Sequence, residues 1–202
     1  MKKRQSPKRL GRPRAFDADV ALDRALQVFW RRGYEGAALS DLTKAMRINR
    51  PSLYGAFGNK QALFRKVLDR FAAGPASYVS AALEQPTARA VAQQLLQRAA
   101  KALTNPHQPH GCLMVQGALS CGQEANPIRR ELIMRRGAAE AAIRRRLARA
   151  KSERDLPRRS NPADLARYLM TVMHGMAVQA AGGASRAKLQ RVARAALHAW
   201  PK

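Results

Sequence analysis

Cysteine, acidic residues and long uncharged apolar runs are all scarce in this chain, and each scarcity removes a class of protein. Two cysteines, Cys112 and Cys121, among 202 residues cannot staple a secreted scaffold. If residues 111–121 form one helix the two point to opposite faces, which reads as two reduced thiols. No uncharged apolar run reaches the roughly eighteen residues a spanning helix needs, and the N-terminus lacks the apolar stretch of a secretory signal. The expected location is the cytoplasm, with no membrane partner. There is no Gly-rich phosphate loop and no nucleophile with a base at motif spacing, and only 13 acids are available as general acid or base. An enzyme is not expected, nor is a cofactor.

Base is abundant instead. Lys and Arg total 38, for a formal charge of +25, while 46% of residues are apolar: such a chain folds, and it attracts anions. The charge is densest early. Residues 1–70 hold 17 basic and 6 acidic side chains, and residues 71–202 hold 21 and 7. Residues 1–14 carry seven basic residues, no acid and two prolines, the pattern of a disordered basic arm.

Beyond the arm the periodicity is helical and nothing has a strand period. Asp17 or Asp19 can cap a first helix with Leu22, Ala25, Leu26 and Phe29 on one face and Gly33 placed to end it. A short helix over about 38–46 and another opened by Asn49-Arg50-Pro51-Ser52 follow, where Pro51 is harmless because first-turn N–H groups have no helical acceptor. A fourth begins at Lys60. Two short helices joined by a tight turn and resting on a first form a helix-turn-helix, whose second member enters the DNA major groove. This gives a DNA-binding domain over 15–73 and, after Gly74-Pro75, a larger helical domain over 74–202. Helices are expected there near 88–103, 111–121, 127–151, 162–181 and 186–200, with Ser185 able to cap the last.

From Gly11 to Phe64 the sequence resembles the DNA-binding domain of the TetR repressor family. The matching segments are Gly11-Arg12-Pro13-Arg14, Phe29-Trp30 with Gly33-Tyr34-Glu35-Gly36, Leu42-Thr43-Lys44-Ala45-Met46, and the run from Ile48 to Lys60. The likeness continues more faintly through Gly111-Cys112-Leu113-Met114 and the last two helices. It implies an all-α homodimer that binds a near-palindromic DNA operator and is released by a small-molecule effector of unknown identity. Asn49, Arg50 and Ser52 would read base edges, and Tyr54 and Lys60 would hold phosphates. Thr43 and Arg47 complete the DNA-facing set, and Arg12 and Arg14 lie in an arm able to enter a minor groove. Two positions depart from the family pattern. Ala37-Ala38 replaces the usual Thr-Ser, leaving the second helix's cap to Ser40 or water, and Arg47 stands where the turn commonly has Gly, a site that disfavours a side chain if it needs positive φ.

In the larger domain, Tyr78, Cys112, Met114, Gln116, Met134, Met170 and His174 are candidate pocket residues from their apolar or amphipathic settings. A helical wheel gathers Leu165, Leu169, Val172, Met173 and Met176 on one face, and Leu189, Val192, Ala193, Ala196, Leu197 and Trp200 make one stripe on the last helix. Paired with the same helices of a second chain they would form a four-helix bundle. Glu131 with Arg135 and Glu140 with Arg144 are acid-before-base pairs four apart, which support a solvated helix face. The arginines left over, Arg129, Arg130, Arg136, Arg145 and Arg149, could bind an anionic effector or an acidic partner. His107, His110 and Cys112 form a metal-capable cluster without a fourth candidate nearby, and no metal is assigned. The competing function is a basic architectural DNA binder without an effector, which would not need some 130 residues of apolar-patterned helix.

Overall fold

The computed structural model describes residues 16–117, 122 and 125–201; the basic arm with Arg12 and Arg14, and Cys121, lie outside them. Among the described residues the protein is all-α, with ten helices and no strand. α1 (Ala18–Gly36) starts where Asp17 Oδ1 accepts from the backbone N–H groups of Asp19 and Val20. It bends at Gly33, whose φ of 69° suits a residue without Cβ, and resumes through Gly36 where a stop was expected. α2 (Leu39–Met46), α3 (Arg50–Phe57) and α4 (Lys60–Ala73) follow. Asn49 and Asn59 cap α3 and α4, each Oδ1 accepting from the backbone N–H three residues on at 2.8 Å. α2 has no side-chain cap at Ala38, and Ser40 does not supply one.

These four helices close over Phe29, Trp30, Leu42, Leu53, Phe64 and Phe71, all buried. Phe29 meets Phe64 edge-on at 4.8 Å between centroids, and Trp30 meets Phe71 at 4.8 Å. Leu113, Ile128 and Leu132 from later in the chain complete the same core, so the first four helices do not close on their own.

The second core is built from α5 (Tyr78–Leu83), α6 (Ala88–Leu103), α8 (Asn126–Ser152), α9 (Pro162–Ala181) and α10 (Arg186–His198), with α7 (Leu113–Gln116) between the two. Thr87, Asn161 and Ser185 cap α6, α9 and α10. The helix expected over 111–121 reduces to α7 within the described residues. Gly111 has φ +89° and Cys112 is extended, so the chain is not helical before Leu113.

Two expectations for this half need correction, and the fold adds a buried arginine. Glu131 does pair with Arg135, at 2.7 Å, but Glu140 turns away from Arg144 to Arg167 of α9 at 3.0 Å, because α8 lies along α9 and offers a cross-helix cation. Arg146, outwardly one more arginine of a solvated helix, is buried, and its guanidinium donates to the backbone oxygens of Leu83 at the end of α5 and of Gln85 and Pro86 just beyond it. The residues assigned to a dimer seam are mostly interior to one chain: Leu169, Met173, Met176, Leu189, Ala193, Ala196, Leu197 and Trp200 are buried, and Leu165 and Val172 are half-buried. Of that set only Val192 is exposed, at 44%, and the wheel's opposite side supplies Val178 at 51%. A helical wheel finds an apolar stripe but not what it packs on; here α6 covers the stripes of α9 and α10.

Candidate DNA interface and effector cavity

The turn between α2 and α3 carries the expected strain. Arg47 sits at φ 57°, ψ 43°, its N–H bonding back to Lys44 O, while Ile48 N–H reaches Thr43 O at 3.1 Å. A left-handed non-glycine residue costs about 1–2 kcal/mol. The exposed turn in return holds one more cation beside α3.

α3 buries Leu53 and Phe57 and turns the other side outward: Asn49, Arg50 and Tyr54 are exposed and Ser52 is half-buried. Arg50 has no ion-pair partner among the described residues, so its fork is available to a base edge. Asn49 is less free than its sequence position suggests, because its Oδ1 already accepts from the Ser52 N–H, which leaves its amide NH₂ and one oxygen lone pair for a base edge. Thr43 donates its hydroxyl to Leu39 O within α2. Lys60 is also partly engaged: its Nζ lies 4.7 Å above the Tyr34 ring, and burial lowers its pKa against the opposing pull of Glu35.

A cavity of about 430 Å³ lies between α4, α5, α8 and α9. Tyr78, Cys112, Met114, Met170 and His174 line it as expected, whereas Gln116 and Met134 do not. Met134 is 59% exposed on the outside of α8. Gln116 faces a smaller space beside Trp30 and Gly33. Arg136, one of the five leftover arginines, also lines it, and missed from the sequence were Arg135 and the apolar wall of Phe71, Val79, Leu103, Val115 and Met173. Burial raises the pKa of Tyr78 and of the Cys112 thiol, and lowers that of His174, where the charge of Arg136 acts in the same direction. All three are therefore neutral at pH 7. His107 and His110 are exposed in the loop before Cys112, and no group of three potential metal ligands converges among the described residues.

The cavity wall is tied to the first four helices. Arg135 donates to Asp69 of α4 at 2.7 Å as well as to Glu131, and Arg65 lies 3.5 Å from Glu131. Arg70 of α4 holds Asp23 of α1 with two hydrogen bonds.

Residues 21–67 match the family model for bacterial regulatory proteins of the tetR family, and residues 88–196 match that for the tetracyclin repressor-like C-terminal domain. The chain belongs to the TetR family. It is a DNA-binding transcriptional regulator. The HTH-type transcriptional repressor ComR of Escherichia coli K12 is 32% identical over 194 residues, spanning 95% of this chain and 92% of that protein. The repressor BdcR of the same organism is 28% identical over 177 residues, 87% and 84% of the two chains. Among solved structures, a cysteine mutant of the TetR family regulator CifR, complexed with 26-base-pair operator DNA, superimposes with a TM-score of 0.91 at 41% identity. It covers 95% of this chain and all of that one. A TetR regulator from Rhodococcus sp. RHA1 is 38% identical with a TM-score of 0.63, over 91% and 98% of the two chains. No helix among the described residues is long and apolar enough to cross a membrane.

The outward sides of α9 and α10 carry small and apolar exposed residues. Thr171, Gly175 and Val178 fall on one side of α9, and Val192, Ala195 and Ala199 on one side of α10, all exposed.

Proposed function

We propose that this protein is a cytoplasmic, homodimeric repressor that binds a near-palindromic operator through α3 and is released by a small molecule occupying the 430 Å³ cavity. In this reading the DNA-binding unit spans residues 15–73 and the effector and pairing unit spans 74–202. The observation that carries it is the presentation of α3: Leu53 and Phe57 anchor its back, Asn49 caps its start, and Arg50 stands exposed without an ion partner at the end that enters a groove first. Two such helices must sit about 34–36 Å apart to read half-sites one turn apart. An effector that favours another spacing lowers DNA affinity by linkage. The ties from Arg135 to Asp69 and from Arg70 to Asp23 support a mechanical route from cavity wall to α1. The exposed seam of Gly175, Val178 and Val192 supports pairing there.

Binding to a selected operator beside random duplex at one stated salt concentration tests the reading. A repressor should prefer its operator by about 10³-fold or more. Affinities within a few-fold of each other would favour the architectural binder instead.

A further inference from the structure

Among the described residues, the cavity of the proposed effector site holds a charge that no acid balances. Arg135 and Arg136 are both lining residues, and among the described residues no Asp or Glu is. Arg135 is already satisfied by Asp69 and Glu131, each at 2.7 Å. Arg136 is not. Its one hydrogen bond runs from Nη1 to the backbone oxygen of Met114 at 2.7 Å, and among the described residues it has no acidic partner. Glu140, whose charge reaches His174, is held by Arg167 and stays outside the lining.

The rest of the wall is nearly all hydrocarbon, from Phe71, Val79, Leu103, Val115, Met170 and Met173. The polar exceptions beside the two arginines are Ser80, whose hydroxyl donates to Ser77 O, and Tyr78, Cys112 and His174, whose neutral forms burial favours. A half-buried guanidinium in such surroundings is poorly solvated and gains most from a partner that supplies negative charge and acceptors in its own plane. A carboxylate does both, pairing through two parallel N–H to O bonds. A cationic ligand would meet two arginines, and a neutral one would leave Arg136 desolvated and unpaired.

We propose that the cavity takes an apolar monocarboxylate of roughly fourteen to twenty non-hydrogen atoms, about the number that fills 430 Å³ at interior packing density, with its carboxylate on Arg136. The identification rests on this cavity being the effector site. The sequence marks Arg136 only as one of five unpaired arginines on a long helix; the fold turns this one inward.

The test uses the full-length protein and two probes of equal size and shape, 1-naphthaleneacetate and 1-naphthaleneacetamide, titrated calorimetrically. The acid should bind roughly tenfold or more tighter than the amide. Arg136→Met should erase that preference while leaving amide binding within about threefold, which also reports an intact cavity. Arg136→Lys, which keeps the charge but not the fork, should restore part of it. Equal binding of acid and amide, an acid affinity unmoved by Arg136→Met, or no binding of the acid at millimolar concentration overturns the proposal. Operator binding measured with each probe separates the two readings. Acid held through Arg136 with no change in DNA affinity keeps the carboxylate site and removes the effector reading. Both probes binding equally and both releasing DNA keeps the effector reading and removes the carboxylate.

Discussion

The two halves of this molecule store their function in different ways. In α1 to α4 the functional groups stand outward on a small scaffold, and the residues that define it announce themselves: Asp17, Asn49 and Asn59 cap three of the four helices, and Arg50 follows one of those caps directly. In α5 to α10 the proposed function rests on a cavity and an uncovered face. Both are made by what neighbouring helices leave unfilled, so neither has a signature along the chain. Exposed chemistry is written in residue order, whereas a cavity is a property of packing.

The largest expected effect tests that contrast inside one helix. Leu169 and Val178 are both apolar residues of α9, yet Leu169 is fully buried and Val178 is 51% exposed. Leu169→Glu places a carboxylate in a dry core with no partner, a loss of roughly 4 kcal/mol or more. It should melt the larger half or prevent its folding. Val178→Glu should leave the fold intact by circular dichroism and yield monomers on sedimentation. A fully dimeric Val178→Glu protein, or a well-folded monomeric Leu169→Glu protein, would return the interface to the buried stripe read from the wheel.

Much of the first half was legible. All four helices begin at or beside the residues expected, and the strained turn falls at Arg47. What escaped there was side-chain occupancy: the Oδ1 of Asn49 is used by its own cap, and Lys60 leans over Tyr34. In the second half the long helices were equally legible, from Pro162 and Gly182 at the two ends of α9 to Ser185 before α10. Partners were not. Helical periodicity marks an apolar face, but Leu169 meeting α6 rather than a second chain depends on tertiary contact. Arg136 and Arg146 are indistinguishable from Arg144 and Arg145 by composition. One lines a cavity, one closes a loop, and two face water.

A smaller effect sharpens the contrast within the DNA face. If Arg50 reads a base edge, Arg50→Ala should cost roughly 1–3 kcal/mol on the operator and relax the preference at one base pair in each half-site. Lys60→Ala should weaken operator and random duplex by similar factors, with the salt slope reduced by about one unit or less, because the ammonium already rests on Tyr34. A uniform loss from Arg50→Ala would make Arg50 a phosphate contact and move base reading to Arg47, Asn49 and Ser52.

The smallest effect sits where the two demands on the first half collide. Arg47 holds a left-handed conformation at φ 57° that glycine adopts freely, while its cation lies exposed in the turn ahead of α3. Arg47→Gly should raise folding stability by up to about 1 kcal/mol, the relief of strain being offset in part by the greater freedom of an unfolded glycine. It should also lower affinity for random duplex and reduce the salt slope by about one unit, if the guanidinium meets a phosphate. Arg47→Ala separates the causes. It removes the charge and keeps the strain, so it should match Arg47→Gly in DNA binding and show none of its gain in melting temperature. Equal stability of the glycine and alanine variants would mean that the turn relaxes around a side chain at no cost. Unchanged salt dependence in both would mean that the arginine is carried there for a reason other than DNA.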